Sequence, residues 1–307
     1  MAGFRQKIIR GGLEGLYFSG AHVALKPFVA GVGAILTLHH VRPPRPDRFQ
    51  PNRLLEITPR FLTRVVRYIL KDADVPFAVY VPTSFPDRIG ELWWLALEAV
   101  IARNNHIGMQ IAGRNRTFDC ETVAAKRALY EEIYWWLRSL PSEEELRSVI
   151  HNLAACYHVD IAAFCSELCM GWPELAELAA DPLVTIGAHT VNHPMLAKLP
   201  QKAVRSEMDL SRSIIEAGLG IRPAHLSYPV GDRTSAGPRE FEIAAELGFK
   251  TAVTTRPGVL FAEHSNHLTA LPRISLNGEY QRLRYVRVLL SGSATAMWSG
   301  FRRLDAA

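Results

Sequence analysis

Cysteine is scarce. The 307 residues hold four, at Cys120, Cys156, Cys165 and Cys169, and none forms a C-x-x-C pair. That spacing argues against a disulfide framework and against a thiolate metal site. Cys165 and Cys169 fall in an apolar stretch, residues 161–170, that reads as helix. They are expected as reduced core residues, which suits a reducing compartment. Long apolar runs are also missing. No stretch reaches the ~18 uninterrupted apolar residues of a membrane-spanning helix. Glycines and charges interrupt the apolar run of residues 1–34, and no small-residue cleavage site follows it. A signal peptide is therefore not expected, and a cytoplasmic location is. Residues 4–18 mix basic and apolar side chains, as an amphipathic helix does. Packing on its own domain is the expected use, with peripheral membrane contact through residues 1–30 as the other. Repeats, low-complexity tracts and sharp composition boundaries are absent as well, so a single domain is expected over residues 1–307.

Hydrophobic residues make up 48% and charged residues 21%, enough apolar material for a sizeable core. The net charge of +5 permits an anionic partner. Lys and Arg are scattered along the chain rather than blocked, so a nucleic-acid partner is not expected.

Short apolar runs alternate with helical patterns. Residues 34–38, Phe77–Val81, Val184–Ala188, 225–229, 249–254 and Leu271–Ser275 read as strands. Helical patterns fill 58–70, 92–104, 199–218 and 238–248. Thr58 is placed to cap the first of these, Pro59 at its first turn, and Gly218 near the end of the third. Residues 109–118 suit a hairpin. Residues 121–180 are helical with breaks at Pro141 and Gly171-Trp172-Pro173, and the stretch 104–180 reads as an insertion into a core at about 34–290. Alternation of this kind predicts a parallel α/β arrangement, wound as an open sheet or a barrel.

Three groups of residues carry chemistry. His189 and His193 are four apart and follow a strand. On a helical turn that spacing puts both imidazoles on one face, where they can share a metal ion. His39 and His40 end another strand, where an imidazole serves as general acid, as ligand or as a hydrogen-bonded strand end. Ser227-Tyr228-Pro229-Val230-Gly231-Asp232 has the composition of a tight turn after a strand.

His189-Thr190-Val191-Asn192-His193 resembles the H-[ST]-x-x-H metal motif of NodB-homology polysaccharide deacetylases, carbohydrate esterase family four. Residues 226–231 resemble that family's substrate-groove motif in its Y-P-x-G form. The strands at 76–83 and 248–254 resemble two of its strands in order. The likeness runs from about Ile35 to Ser275. Leu36-Thr37-Leu38-His39-His40-Val41 is similar to the L-x-Y-H-x-V pattern of circularly permuted members, with Leu38 in place of tyrosine.

The resemblance implies a distorted (β/α) barrel and a metal-dependent hydrolase that removes N- or O-acetyl groups from an oligo- or polysaccharide, with a chito-oligosaccharide as the family default. It implies a divalent metal, zinc by default, on His189 and His193 and a third carboxylate ligand. It assigns His39 as general acid, Arg273 to orienting the base, and Tyr228, Pro229 and Gly231 to the substrate.

One departure matters. The family draws both catalytic aspartates from a T-F-D-D-G segment. In permuted members that segment lies between a helix like 58–70 and a strand like Phe77–Val81. Here only Lys71-Asp72-Ala73-Asp74-Val75-Pro76 joins them. The motif is absent, and with it a strand and a helix. The remaining candidates for a carboxylate are Asp72, Asp74, Asp119 and Asp232. Weak metal holding and impaired activity follow, or a catalytically dead remnant that binds glycan or a partner or is the product of a degenerate gene. The gap also leaves a barrel with open edges and reduced stability. A metal barrel of the amidohydrolase type would want an H-x-H pair on its first strand, which the adjacent His39-His40 does not supply.

Overall fold

The computed structural model describes residues 2–70 and 75–305. Helices α1 (Ala2–Phe18) and α2 (Ala21–Val29) lead into short strands β1 (Leu36–Thr37), β2 (His40–Val41) and β3 (Glu56–Ile57). Helix α3 (Pro59–Leu70), strand β4 (Phe77–Val81) and helix α4 (Trp93–Arg103) come next, followed by the hairpin β5 (His106–Ile111) and β6 (Arg114–Asp119). Helices α5 (Val123–Ser139), α6 (Glu143–Cys156), α7 (Ile161–Leu168) and α8 (Trp172–Ala179) form the helical stretch. The second half alternates: β7 (Val184–Ala188), α9 (Gln201–Leu219), β8 (His225–Ser227), α10 (Pro238–Glu246), β9 (Thr251–Pro257), β10 (Leu271–Ser275), then α11 (Leu283–Leu290) and α12 (Ser293–Trp298).

Six strands make one sheet in the order β1-β10-β9-β8-β7-β4, and every pair in it is parallel. The sheet curls into a half-barrel of the distorted (β/α) type. β1 and β4 are its two free ends, so among the described residues the barrel does not close. This opening falls beside β4, before which a strand–helix unit is expected to be missing. Phe77, at the start of β4, is 47% exposed.

Helices cover the outer face because their apolar residues recur at helical spacing. Val204, Met208, Ser211 and Ile215 of α9 sit three or four apart and are wholly buried against Ile186, Ala188 and Leu226 of the sheet. Phe241, Ile243 and Ala244 of α10 extend the same core. A second cluster centres on Leu97, Ile101, Ile133, Leu137 and Ile150 of the helical stretch. The helix ends follow local chemistry. Thr58 Oγ1 accepts from Phe61 N at 3.2 Å. Ser142 caps α6, and three glutamates fill that helix's first turn, where the dipole favours them. The expected stop of α9 moves by two residues. Gly220, at φ 69°, is the left-handed cap, while Gly218 is held small by Trp172, whose ring would lie 3.1 Å from an added Cβ.

Candidate active site

Parallel strands deliver their carboxyl ends to one rim, and the chemistry-bearing residues gather there. His189 follows β7 directly, and His39 lies two residues beyond β1. Arg273 is on β10, and Tyr80 is on β4 opposite Gly187 of β7. Gly187 has to be glycine, because a Cβ there would come within 2.5 Å of the Tyr80 ring.

The pair His189 and His193 does not stand on a helical turn. Residues 189–195 form a loop with Thr190 at φ 66° and His193 at φ 55°, left-handed for residues that are not glycine. Side-chain hydrogen bonds hold this shape. Glu207 of α9 accepts from Val191 N (2.8 Å), Asn192 N (3.0 Å) and Asn192 Nδ2 (2.9 Å). Thr190 Oγ1 accepts from His193 N at 3.1 Å. Arg147, from the helical stretch, donates to Asn192 O at 2.8 Å. The two rings still meet, edge to face, with centroids 4.8 Å apart. Glu207 and Arg147 were not singled out in the sequence. A glutamate spaced from the pair by a helix start carries no motif, so nothing local would have marked it.

The tautomer of His189 is set by its partner. Nδ1 donates to the Ser227 carbonyl at 2.6 Å, which leaves Nε2 as a lone-pair donor, the arrangement of a ligand-type histidine. Burial holds His189 neutral, and the neighbouring His193, Arg273 and His39 act in the same direction. Burial, then Arg147, brings His193 down to about 4. His39 is also pushed down to about 4, by the surrounding protein first and then by Arg273, His40 and His193. Its own surface is exposed, so it lies deep in the molecule yet open to water in the cleft. Water tempers the burial effect, but all three charged or chargeable neighbours still oppose its proton. His39 is therefore a neutral imidazole at neutral pH, without the carboxylate partner that would load a general acid.

Arg273 is the most telling residue. It is 7% exposed, and its Nε donates to Thr254 O at 2.7 Å. Among the described residues its guanidinium has no ion pair and no further hydrogen bond. Burial lowers its pKa to about 10.

The two carboxylate candidates among the described residues do not fill the gap. Asp119 ends the hairpin and pairs with His106 at 2.7 Å in the open. Asp232 is taken by Arg138 at 2.8 Å and by Thr234. Asp72 and Asp74 lie outside the described residues; the strand they precede starts at Phe77, the end opposite His189. No group of three His, Cys, Asp or Glu side chains suited to a metal occurs among the described residues. Two imidazoles fall short of the three protein ligands of a catalytic zinc centre, so the described residues alone do not fit the metal that the motif implies.

The turn residues also differ from expectation. Tyr228 is wholly buried, with its hydroxyl donating to Thr269 O at 2.7 Å and its N–H spent on Val253 O. Pro229 and Gly231 are buried too. A Cβ on Gly231 would lie 2.9 Å from Thr255 N, and φ there is 70°. These three residues build the turn from within instead of offering side chains to a sugar. The ladder to β9 claims them. The Trp94 ring lies 5.5 Å from that of His193 between centroids. Trp93 is core, and Trp135 is exposed on α5.

Residues 142–252 match the family model of polysaccharide deacetylases. Over these residues, about a third of the chain, it is similar to the polysaccharide deacetylase family. The matched segment carries β7, the His189–His193 loop and the Tyr228 turn. No curated protein matches the chain. Among solved structures, a deacetylase of Streptococcus pyogenes is similar at 17% identity, covering 84% of this chain and 99% of its own, with a TM-score of 0.43. IcaB from Ammonifex degensii is similar at 15% identity over 85% and 97%, with a TM-score of 0.42. A polysaccharide deacetylase of Bacillus cereus is similar at 12% identity over 84% and 69%, with a TM-score of 0.46.

Proposed function

We propose that this chain is a polysaccharide deacetylase whose hydrolytic centre is impaired, and that it now binds acetylated oligo- or polysaccharide with at most residual acetyl hydrolysis. One observation carries the reading. The rim brings His39, His189, His193 and Arg273 together with no carboxylate among the described residues.

Deacetylation needs a group that takes a proton from water and a group that returns one to the leaving amine or alkoxide. Neutral imidazoles can take a proton, but three of them beside a guanidinium resist holding it, because every neighbour disfavours positive charge. A divalent metal, zinc by family default, would polarise the acetyl carbonyl. Two imidazole donors would hold it weakly. Beside the histidines, Arg273, Tyr80 and the Trp94 ring would suit the amide and hydroxyl groups of an N-acetylated sugar such as a chito-oligosaccharide. The four free cysteines support a reducing compartment such as the cytoplasm.

The test is a titration of the protein with N-acetylated chito-oligosaccharide, followed by tryptophan fluorescence, with acetate release measured in parallel under excess zinc. Saturable binding that Trp94→Ala removes, with only trace acetate, is expected. Turnover in the ordinary enzyme range of about 1–10³ s⁻¹ would overturn the reading and turn attention to Asp72 and Asp74.

A further inference from the structure

The positive charge that is scattered in sequence is gathered in space. Residues 1–34 carry four Lys or Arg and one Glu, and residues 280–307 carry five Arg and one Asp. These two end segments thus hold a net +7, more than the +5 of the whole chain, and the remainder is net −2. The fold packs the two ends together: α1 against α11, and α2 against α12. The α2–α12 contact is close. Gly292, at φ 74°, opens α12 where a Cβ would lie 1.9 Å from the Val29 carbonyl oxygen.

Two further features share this side. The first is a cavity of about 370 Å³ lined by Tyr17, Phe18, Arg64, Arg282, Leu283 and Arg284. Arg284 is neutralised by Glu14 at 2.5 Å. Arg64 and Arg282 have no ion pair or side-chain hydrogen bond among the described residues, although Glu14 also attracts Arg282, so two guanidinium groups and two aromatic rings line one opening. The second is a set of exposed apolar side chains on the same helices: Phe18 (72%), Val23 (64%) and Phe28 (73%) from α1 and α2, and Met297, Trp298 and Phe301 from α12 and its end, each more than half exposed. Lys26 and Arg302 neighbour them in sequence, as does Arg303, which pairs with Glu263 at 3.2 Å, and no acidic residue occurs from 15 to 46 or from 280 to 304.

Large apolar side chains left in water beside an excess of cations call for a partner that is apolar within and negative at its surface. An anionic bilayer has that structure: acyl chains for the phenylalanines and Trp298, phosphates for the arginines, with each basic side chain near the surface worth roughly 1 kcal/mol. The partner surface must also be wide enough to meet α1, α2 and α12 at once, which a membrane plane is.

We infer that the face formed by α1, α2, α11 and α12 docks the protein on an anionic phospholipid membrane, with Arg64 and Arg282 taking a lipid phosphate in the cavity. The inference is independent of the catalytic state of the rim.

Vesicle co-sedimentation tests it, using phosphatidylcholine vesicles with and without 30 mol% phosphatidylglycerol as an order-of-magnitude physiological load. Binding is expected only with the anionic lipid. It should weaken at least about tenfold in R64E/R282E, and by a similar factor in F28S/W298S. Raising the salt to about 0.5 M should release the protein, since surface charges are then screened. Equal binding to neutral vesicles, no binding at all, or binding unchanged by both variants would overturn the proposal. So would a stable dimer in solution that F28S/W298S splits, because the face would then belong to a second copy. Melting curves of the variants within a few degrees of the parent protein keep misfolding from mimicking the expected result.

Discussion

Replacing Arg273 by methionine separates a site that has lost its carboxylates from one that has kept them. The residue is 7% exposed, and burial takes the guanidinium pKa from its ordinary value down to about 10. That fall corresponds to about 3 kcal/mol of unfavourable burial at neutral pH. The Nε hydrogen bond to Thr254 O offsets part of it, by about 1.5–3 kcal/mol for a charged donor. Methionine fills a similar volume with no charge to desolvate. The expected outcome of Arg273→Met is therefore a stability between unchanged and about 2 kcal/mol higher, a rise of up to about 4 °C in a chain of this size. Thermal or denaturant unfolding at pH 7 measures it. A loss of about 3–5 kcal/mol is what removing one partner of a buried ion pair produces. That result would refute the reasoning and place a carboxylate opposite Arg273.

Three other outcomes follow from the geometry. His39 and His193 have folded pKa values of about 4, below their ordinary 6.5, so the stability tied to their neutral forms is complete above pH 6.5 and is lost as pH falls through 4; urea unfolding between pH 7 and 4 should show this loss, and His193→Gln should reduce it. Gly292→Ala puts a Cβ against the Val29 carbonyl in a left-handed residue; a cost of about 2–4 kcal/mol and loss of amide protection in α2 are expected by hydrogen exchange. Glu207→Ala removes the acceptor of three hydrogen bonds in the histidine loop; the amides of Val191 and Asn192 should exchange faster, with a stability loss of about 1–3 kcal/mol.

Much of this fold was legible because period and punctuation agree. Phe77–Val81, Val184–Ala188 and Leu271–Ser275 are strands with the ends read from sequence, since each is a short apolar run bounded by polar or turn residues. Thr58-Pro59 marked a helix start that the structure keeps. The His189–His193 pairing was also legible, though its helical setting was not. The loop depends on Glu207 and Arg147, which reach it from elements distant in sequence. The burial of Tyr228 was not legible for a related reason. A motif says which residues form a turn but not which side of it the sheet will claim. Helices α2, α11 and α12 had no clear apolar period against a known partner. Their packing on one another, and the charge they concentrate, exist only once the two ends of the chain meet.

The central claim is that the histidine rim has lost the means to hold a catalytic metal. Zinc titration of the chelator-stripped protein beside a His189→Ala, His193→Ala double variant tests it most directly. The account predicts no stoichiometric binding above that of the variant. Tight one-to-one binding that the double variant abolishes would contradict it, because a third ligand would then have to complete the site.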